Sequence, residues 1–442
     1  MYSSKKTKAA EDLMSWGMYP KIKSFIYGYS NQNNLKKIIN KFDHLIAYGN
    51  GRSYGDSAIG KTVISTRYNK NLIDFDYRTG IIHAESGILL SEILSVTVPR
   101  GWFLKVCPGT KFVTIGGAIA SDVHGKNHHK DGCFSESVQE FDMMLENGEV
   151  VTCSKKLRPE LFRATCGGQG LTGVIVSAKL FLKKINSQYL EQTVIKTSNL
   201  KETFNAFEEN KNELYSVAWI DCLAKGTSIG KCLLSTGKFI NDGKLDYKLK
   251  KQWRVYFNFP KYFLNTWTIK IFNWIYYNKS IKNETKKIID IDSFFFPLDL
   301  IADWNRIYGK NGFLQYQFIL PKEDSYEGLN EILEEISNSG KAPFLGVLKL
   351  YGKANTNYLS FPLEGYSLAL DFKFQDDTFK LLNKLDEIVN KYNGRIYLTK
   401  DARVCKEVFE KGYPQIQNFR NFRKKNKMDI KFQSLQSKRV QI

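Results

Sequence analysis

The chain has 442 residues, 43% hydrophobic and 25% charged, globular proportions that exclude a disordered, collagen-like or disulfide-scaffold protein and suggest two or three domains. Its 65 Lys and Arg against 45 Asp and Glu leave a formal charge of +20. That excess points to an anionic partner (phosphate, nucleic acid or a membrane surface) or to a Lys/Asn/Ile-rich composition bias. The 7 cysteines (107, 133, 153, 166, 222, 232, 405) form no CxxC pair and read as reduced thiols of a cytosolic protein. The start, MYSSKKTKAAEDLMSWG, lacks the apolar core of a secretory signal, and no apolar run is long enough to span a bilayer.

In chain order, the helical spacing of Leu35–Phe42 precedes the strand-like runs LIAY (45–48) and TVIST (62–66). GIIHAESG (80–87) follows as a strand, Leu89–Val98 as a helix and VIVSAKLFL (174–182) as a strand, so the first 185 residues read as an α+β region. From about 186 glycine thins out and aromatics rise. Strands are expected at SVAWIDCL (216–223), FLQYQFIL (313–320), PFLGVLKLYG (343–352) and YSLALDFKF (366–374). Helices are expected at Leu200–Lys211, Tyr326–Ser339 and Thr378–Tyr392, which together imply an antiparallel sheet covered by helices. Residues 248–287 stand apart, with 10 Lys or Arg against 1 Glu and 11 aromatics. That pattern suits a segment lying in a membrane interface; the alternative is a helical hairpin with its aromatics in the core. From Arg420 onward the chain is basic and reads as a solvated tail.

Two glycine-rich stretches carry chemistry. Gly49-Asn50-Gly51-Arg52-Ser53-Tyr54-Gly55-Asp56 follows the strand LIAY, and successive backbone N–H groups in such a turn form an anion nest. The second stretch runs from Pro108-Gly109-Thr110 through Thr114-Ile115-Gly116-Gly117 to Val123-His124-Gly125-Lys126-Asn127-His128-His129. Adjacent histidines without nearby acidic or thiol ligands argue against a metal. The GxGxxG match at Gly168–Gly173 is followed by a strand-like run, whereas a nicotinamide-dinucleotide fingerprint opens a helix, so it is rejected as one. Gln315 and Gln317 alternate onto one strand face, and Lys349 interrupts the apolar run VLKLYG, where a buried ammonium wants an anion.

The spaced set GNGRSYGD, PGT, TIGGAIASDVHGKNHH and GGQGLTG resembles the flavin domain of vanillyl-alcohol-oxidase-type flavoproteins, the PCMH-type FAD fold. Within that family it is similar to the branch that oxidises polyprenylphosphoryl ribose. The likeness continues through LDLIADWNRIYGKNGFLQYQFILP (298–321), FLGVLKLYG (344–352), LSFPLEGY (359–366), GRIYLTKDAR (394–403) and Tyr413-Pro414, so it spans nearly the whole chain.

The resemblance implies a two-part FAD domain over 1–185, a substrate domain over 186–394 and a C-terminal segment, 395–442, returning to the FAD domain. It places Gly49, Asn50, Gly51, Arg52, Ser53, Tyr54, Gly55, Pro108, Gly109, Thr110, Thr114, Ile115, Gly116 and Gly117 around the FAD pyrophosphate and ribityl chain. Ala120, Ser121, His124, Gly125, Asn127, Gly173, Ile175, Tyr397 and Lys400 would also touch the cofactor. Relatives that bind FAD covalently use a histidine where this chain has Arg52, so non-covalent FAD is expected. Lys400, His124 and Tyr54 are the implied catalytic group; Gln315, Gln317, Lys349, Lys126, Trp219 and Ser367 are implied substrate contacts. Relatives carry an Asn and a Cys where this chain has Ser367 and Ala369.

The implied reaction is FAD-dependent oxidation of a polyprenyl-phosphate-linked sugar, a ribofuranose at its 2′-hydroxyl, as the first half of an epimerisation in cell-envelope glycan synthesis. A short-chain reductase would complete the inversion, and the enzyme would sit on the inner face of the membrane. A soluble sugar or aldonolactone oxidase using O₂ is the alternative enzyme. Nucleic-acid binding has only charge in its favour, with no accompanying motif.

Overall fold

The computed structural model describes residues 10–260 and 262–442. Three sheets position everything that matters for function. The first is four-stranded, in the order Glu11–Met14, Lys21–Gly28, Thr62–Ser65, Ile46–Tyr48. Its helix Gln32–Lys41 is started by the Asn31 side chain, which accepts from the Asn34 N–H at 2.9 Å. The helix buries Leu35, Ile38 and Ile39 against Met144, Val174 and Val176 of the second sheet.

That second sheet runs Leu72–Asp76, Ile81–Glu85, Val174–Lys184, Val138–Met144, Val150–Cys153, with Trp102–Leu104 added to Val174–Lys184. Gly168–Gly173 thus leads into a strand, as its sequence context requires.

The third sheet is antiparallel and eight-stranded. Its order is Glu284–Asp290, Tyr189–Thr197, Cys232–Phe239, Tyr215–Ile220, Gly346–Tyr351, Gly365–Lys373, Phe313–Pro321, Arg395–Ile396. Period-two alternation divides it into two faces. Leu314, Tyr316, Phe318 and Leu320, with Leu348, Leu350, Leu368 and Leu370, pack beneath the helices Ser325–Ser339 and Thr378–Lys391. Each such side chain removed from water contributes about 1.5–3 kcal/mol. The opposite face carries Gln315, Gln317, Lys349, Ser367, Ala369 and Asp371. Every strand and helix expected in these two halves forms, with ends shifted by a few residues.

Two stretches depart from expectation or decide between alternatives. The basic C-terminal stretch is no solvated tail. Arg423, 1% exposed, donates to the carbonyls of Leu171, Met428 and Phe432, and Arg439 pairs with Asp56 and Asp401. Guanidinium groups satisfied by backbone carbonyls and carboxylates make this segment part of the interior, which net charge does not reveal. In the segment 248–287, the helix Thr266–Asn278 turns Trp267 (76% exposed) and Trp274 (65%) to solvent, with Trp253, Tyr256, Phe257, Tyr262 and Ile281 also exposed. A core-facing hairpin is therefore not what forms. Among the described residues no helix is long and apolar enough to cross a membrane.

Candidate active site

A cavity of about 820 Å³ lies between the glycine loops of the first two sheets and the polar face of the third. Its floor is made of backbone. The N–H groups of Asn50, Gly51, Arg52 and Ser53 donate to no protein acceptor among the described residues, so this turn offers a nest of free donors. The nest is pressed against Thr114, which caps the short helix Ile115–Ala120 by accepting from the Gly117 N–H. A Cβ on Gly49 would lie 2.5 Å from Thr114 Oγ1, and Gly51 has φ +61°. Arg52 stacks on Trp16 at 4.0 Å and leaves its buried Nε without a partner. A diphosphate suits such an array: free N–H donors, glycine clearance and a nearby guanidinium. An FAD pyrophosphate therefore fits the residues present.

The opposite wall is built of side chains set by strand register. Gln315 lies across from Asp371, Gln317 across from Ala369, and Lys349 across from Ser367. Gln315 Nε2 donates to Asp371 at 2.6 Å, while Gln317 Nε2 donates to Ser367 Oγ at 3.3 Å and faces His124 Nε2 at 3.3 Å. The Tyr351 hydroxyl sits 2.8 Å from His124 Nδ1, and Phe361 and Tyr397 close on the same ring. Burial, reinforced by Lys349, His128 and Lys400, holds the imidazole well below its ordinary value, so it is neutral.

Three ammonium groups share this wall. Burial and the Lys349 charge push Lys400 down to about 7, with Asp371 opposing the fall; its Nζ lies 3.6 Å above the Tyr54 ring. Lys126 is pushed to about 7 by the same causes and donates to the Phe294 carbonyl. Lys349 is pushed to about 8 by burial alone, and no carboxylate pairs with it among the described residues. Tyr54 is buried and its phenol is raised well above its usual range, chiefly by desolvation, so it stays protonated beneath Lys400.

Most of the residues expected at the site line this one cavity, from Gly49 to Tyr54, through Pro108–Thr110, Thr114, Gly116, Gly117, Ala120, Ser121, His124 and Lys126, to Gly173, Ile175, Trp219, Gln315, Gln317, Lys349, Tyr397 and Lys400. Five stand behind its wall. A Cβ on Gly55 would sit 1.6 Å from the Asp401 carbonyl oxygen, and one on Gly125 2.6 Å from that of Cys107, so both are glycines for chain packing. Ile115 is core, the Asn127 amide donates to the Lys105 carbonyl and to Asp131, and Ser367 stands behind Gln317 and Tyr351. Two carboxylates escaped the sequence reading. Asp371 is raised to about 6 by burial, and Asp299, raised to about 6 likewise, accepts from the Lys111 N–H and faces Arg52. The cross-strand pairing of Gln315 with Asp371 was the only signal for the first, and it needs the register to be known.

Fold and nest together define an FAD-binding oxidoreductase, and residues 31–154, which hold both glycine stretches, match the FAD binding domain family. Over 97% of its length the chain is 33% identical to the decaprenylphosphoryl-β-D-ribose oxidase of Mycolicibacterium smegmatis, covering 97% of that protein. It is also 25% identical, over 76% of the chain and 95% of the relative, to an uncharacterised protein in the mprA 5′ region of Streptomyces coelicolor. Likeness to a putative D-arabinono-1,4-lactone oxidase of Neurospora crassa, at 34% identity, is confined to 24% of the chain and 19% of that protein. The chain belongs to the decaprenylphosphoryl-β-D-ribose oxidase family, and its cofactor is FAD.

Proposed function

We propose that the chain oxidises the 2′-hydroxyl of a polyprenylphosphoryl ribofuranose to the ketone, with non-covalently held FAD. The observation that carries this reading is the single cavity joining the free N–H nest to three ammonium groups on the opposite wall. Bound FAD supplies a two-electron acceptor for the hydride from C2′. Asn50–Ser53, Thr114 and Arg52 would hold the cofactor phosphates, and Arg52 stands at the position expected to carry the histidine of a covalent link.

The remaining chemistry belongs to this chain's side chains. Lys349, unpaired in the cavity wall, takes the substrate phosphate. Lys400, pushed down to about 7 by burial, would accept the hydroxyl proton, and its charged form would offset negative charge developing on a bound flavin. His124, neutral and fixed between Gln317 and Tyr351, orients the sugar rather than titrating.

The +20 charge and the exposed aromatics of 253–281 support docking on an anionic membrane surface, where a lipid-linked substrate resides. A keto sugar released there needs a reductase to complete an epimerisation. The aldonolactone-oxidase alternative shares the flavin domain and gives no reason for the exposed aromatic and basic segment 248–287.

The test has two stages. The purified protein should show a flavin spectrum that passes into the supernatant on acid precipitation. Anaerobic addition of polyprenylphosphoryl ribose should then bleach it, whereas bleaching by free aldonolactones alone would reject the reading.

A further inference from the structure

We propose that the cavity continues beyond Lys349 as a tract for the polyisoprenoid tail, laid across the strands of the large sheet beneath the helix Thr266–Asn278. This rests on the reading that the substrate is a polyprenyl-phosphate sugar. Past Val347 the same cavity is lined by Trp219, Val217, Leu233, Val194 and Ile289. Register sets these on an oblique line across the strands, ending at Ile289, which lies opposite Leu190 four residues along the edge strand from the partner of Val194. Val347 lies opposite Trp219 and Trp219 opposite Leu233, while Val217 and Val194 each lie opposite Ser235. Four strand steps separate Gly346–Tyr351 from the edge strand Glu284–Asp290, a span of about 19 Å at the ordinary spacing. That length accommodates several isoprene units.

The cover of this tract is the second observation. Phe272 and Tyr276 line the cavity from the helix, with Tyr276 packed on Trp219 at 4.9 Å. The outward side of the same helix shows Trp267, Ile271, Trp274 and Ile275. A helix on a water-facing surface keeps one side polar, and a helix apolar on both sides belongs between two apolar media. Lipid outside and a lipid tail inside satisfy both sides. Among the described residues lining the tract, charge sits at Lys349 on the catalytic side and at Lys279 and Lys287 beside the edge strand, and Ser235, Gln192 and Thr285 add neutral polar groups between the apolar side chains. The ligand class that fits is a long apolar chain carrying one anionic phosphate at the catalytic end.

The probe is farnesyl phosphate with a diazirine at its terminal isoprene, irradiated on the FAD-loaded full chain and mapped by peptide mass. Labelling of 189–197 and 215–220 is expected, and V217W, which fills the tract, should cut it by about tenfold while keeping the flavin spectrum. Label confined to the exposed aromatic surface, with none in those strands, would overturn the tract. The two readings fail separately. Strand labelling without bleaching by polyprenylphosphoryl ribose keeps the tract and rejects the sugar, and bleaching without strand labelling does the reverse. In kinetics V217W should lower the long-chain to short-chain ratio of kcat/KM by about tenfold, and an unchanged ratio would count against the tract.

Discussion

The two ends of the cavity are made of different material. At the cofactor end the chain presents backbone: free N–H groups at Asn50–Ser53, a glycine pressed on Thr114 and a short helix behind. At the substrate end it presents side chains, Lys349, Lys400, Gln315 and Gln317, whose positions come from strand register and a C-terminal loop. Backbone recognition serves a group that never changes, and side-chain recognition can be altered one residue at a time. Ala369, opposite Gln317, lies on the second kind of wall.

Damage at each end should therefore look different. The largest effect is expected for Lys400→Ala, which should bind FAD normally yet slow substrate-driven flavin reduction by about 10²–10⁴-fold in anaerobic stopped flow. In the unaltered enzyme the reduction rate should climb about tenfold per pH unit up to about 7 and then level, because Lys400 must be deprotonated to accept a proton. A rate that falls with rising pH would break the assignment. Gly49→Val should do the opposite damage. Its side chain collides with Thr114, so flavin absorbance per protein should fall by about tenfold or more, with far-ultraviolet circular dichroism preserved.

Lys349→Met should raise KM about tenfold, ~1.4 kcal/mol of phosphate binding, with a smaller change in kcat. It should also stabilise the substrate-free protein at neutral pH. Lys349 is pushed from 10.5 to about 8, so the folded state holds that proton less tightly than the unfolded chain. Its cost is fully present below pH 8 and fades as pH rises to 10.5, and the Tm gain of the variant should fade over that same window. The smallest catalytic effect is expected for Trp267→Ala with Trp274→Ala. Sedimentation with anionic vesicles should weaken by about tenfold, whereas flavin content should not change.

The cofactor end was also the more legible in sequence. A nest needs glycines at close spacing in one short stretch, and GNGRSYGD supplies them together. The strands were legible too, because Leu314, Tyr316, Phe318 and Leu320 alternate with Gln315 and Gln317 whatever they pair with. Asp371 was not legible. Within LALDFKF it reads as one polar residue in an apolar run, and its meaning comes from Gln315, placed opposite by pairing with a distant strand. Arg423 and Arg439 misled for a related reason: their partners, the Leu171 carbonyl and Asp56, lie far back in the chain. Composition reports charge, and only tertiary structure says which charges are enclosed.

The first glycine loop is locked by the end of the chain. The Tyr54 N–H donates to the Thr399 carbonyl, Gly55 rests on the Asp401 carbonyl, the Leu435 N–H donates to that of Ile59, and Arg439 joins Asp56 to Asp401. A nascent chain leaves the ribosome from its N-terminus, so the loop at Asn50–Ser53 emerges long before the residues that hold it. The contacts that hold the nest therefore form only after residues 399–439 have been made. FAD capture should then follow the synthesis of residues 399–439 rather than that of the loop itself.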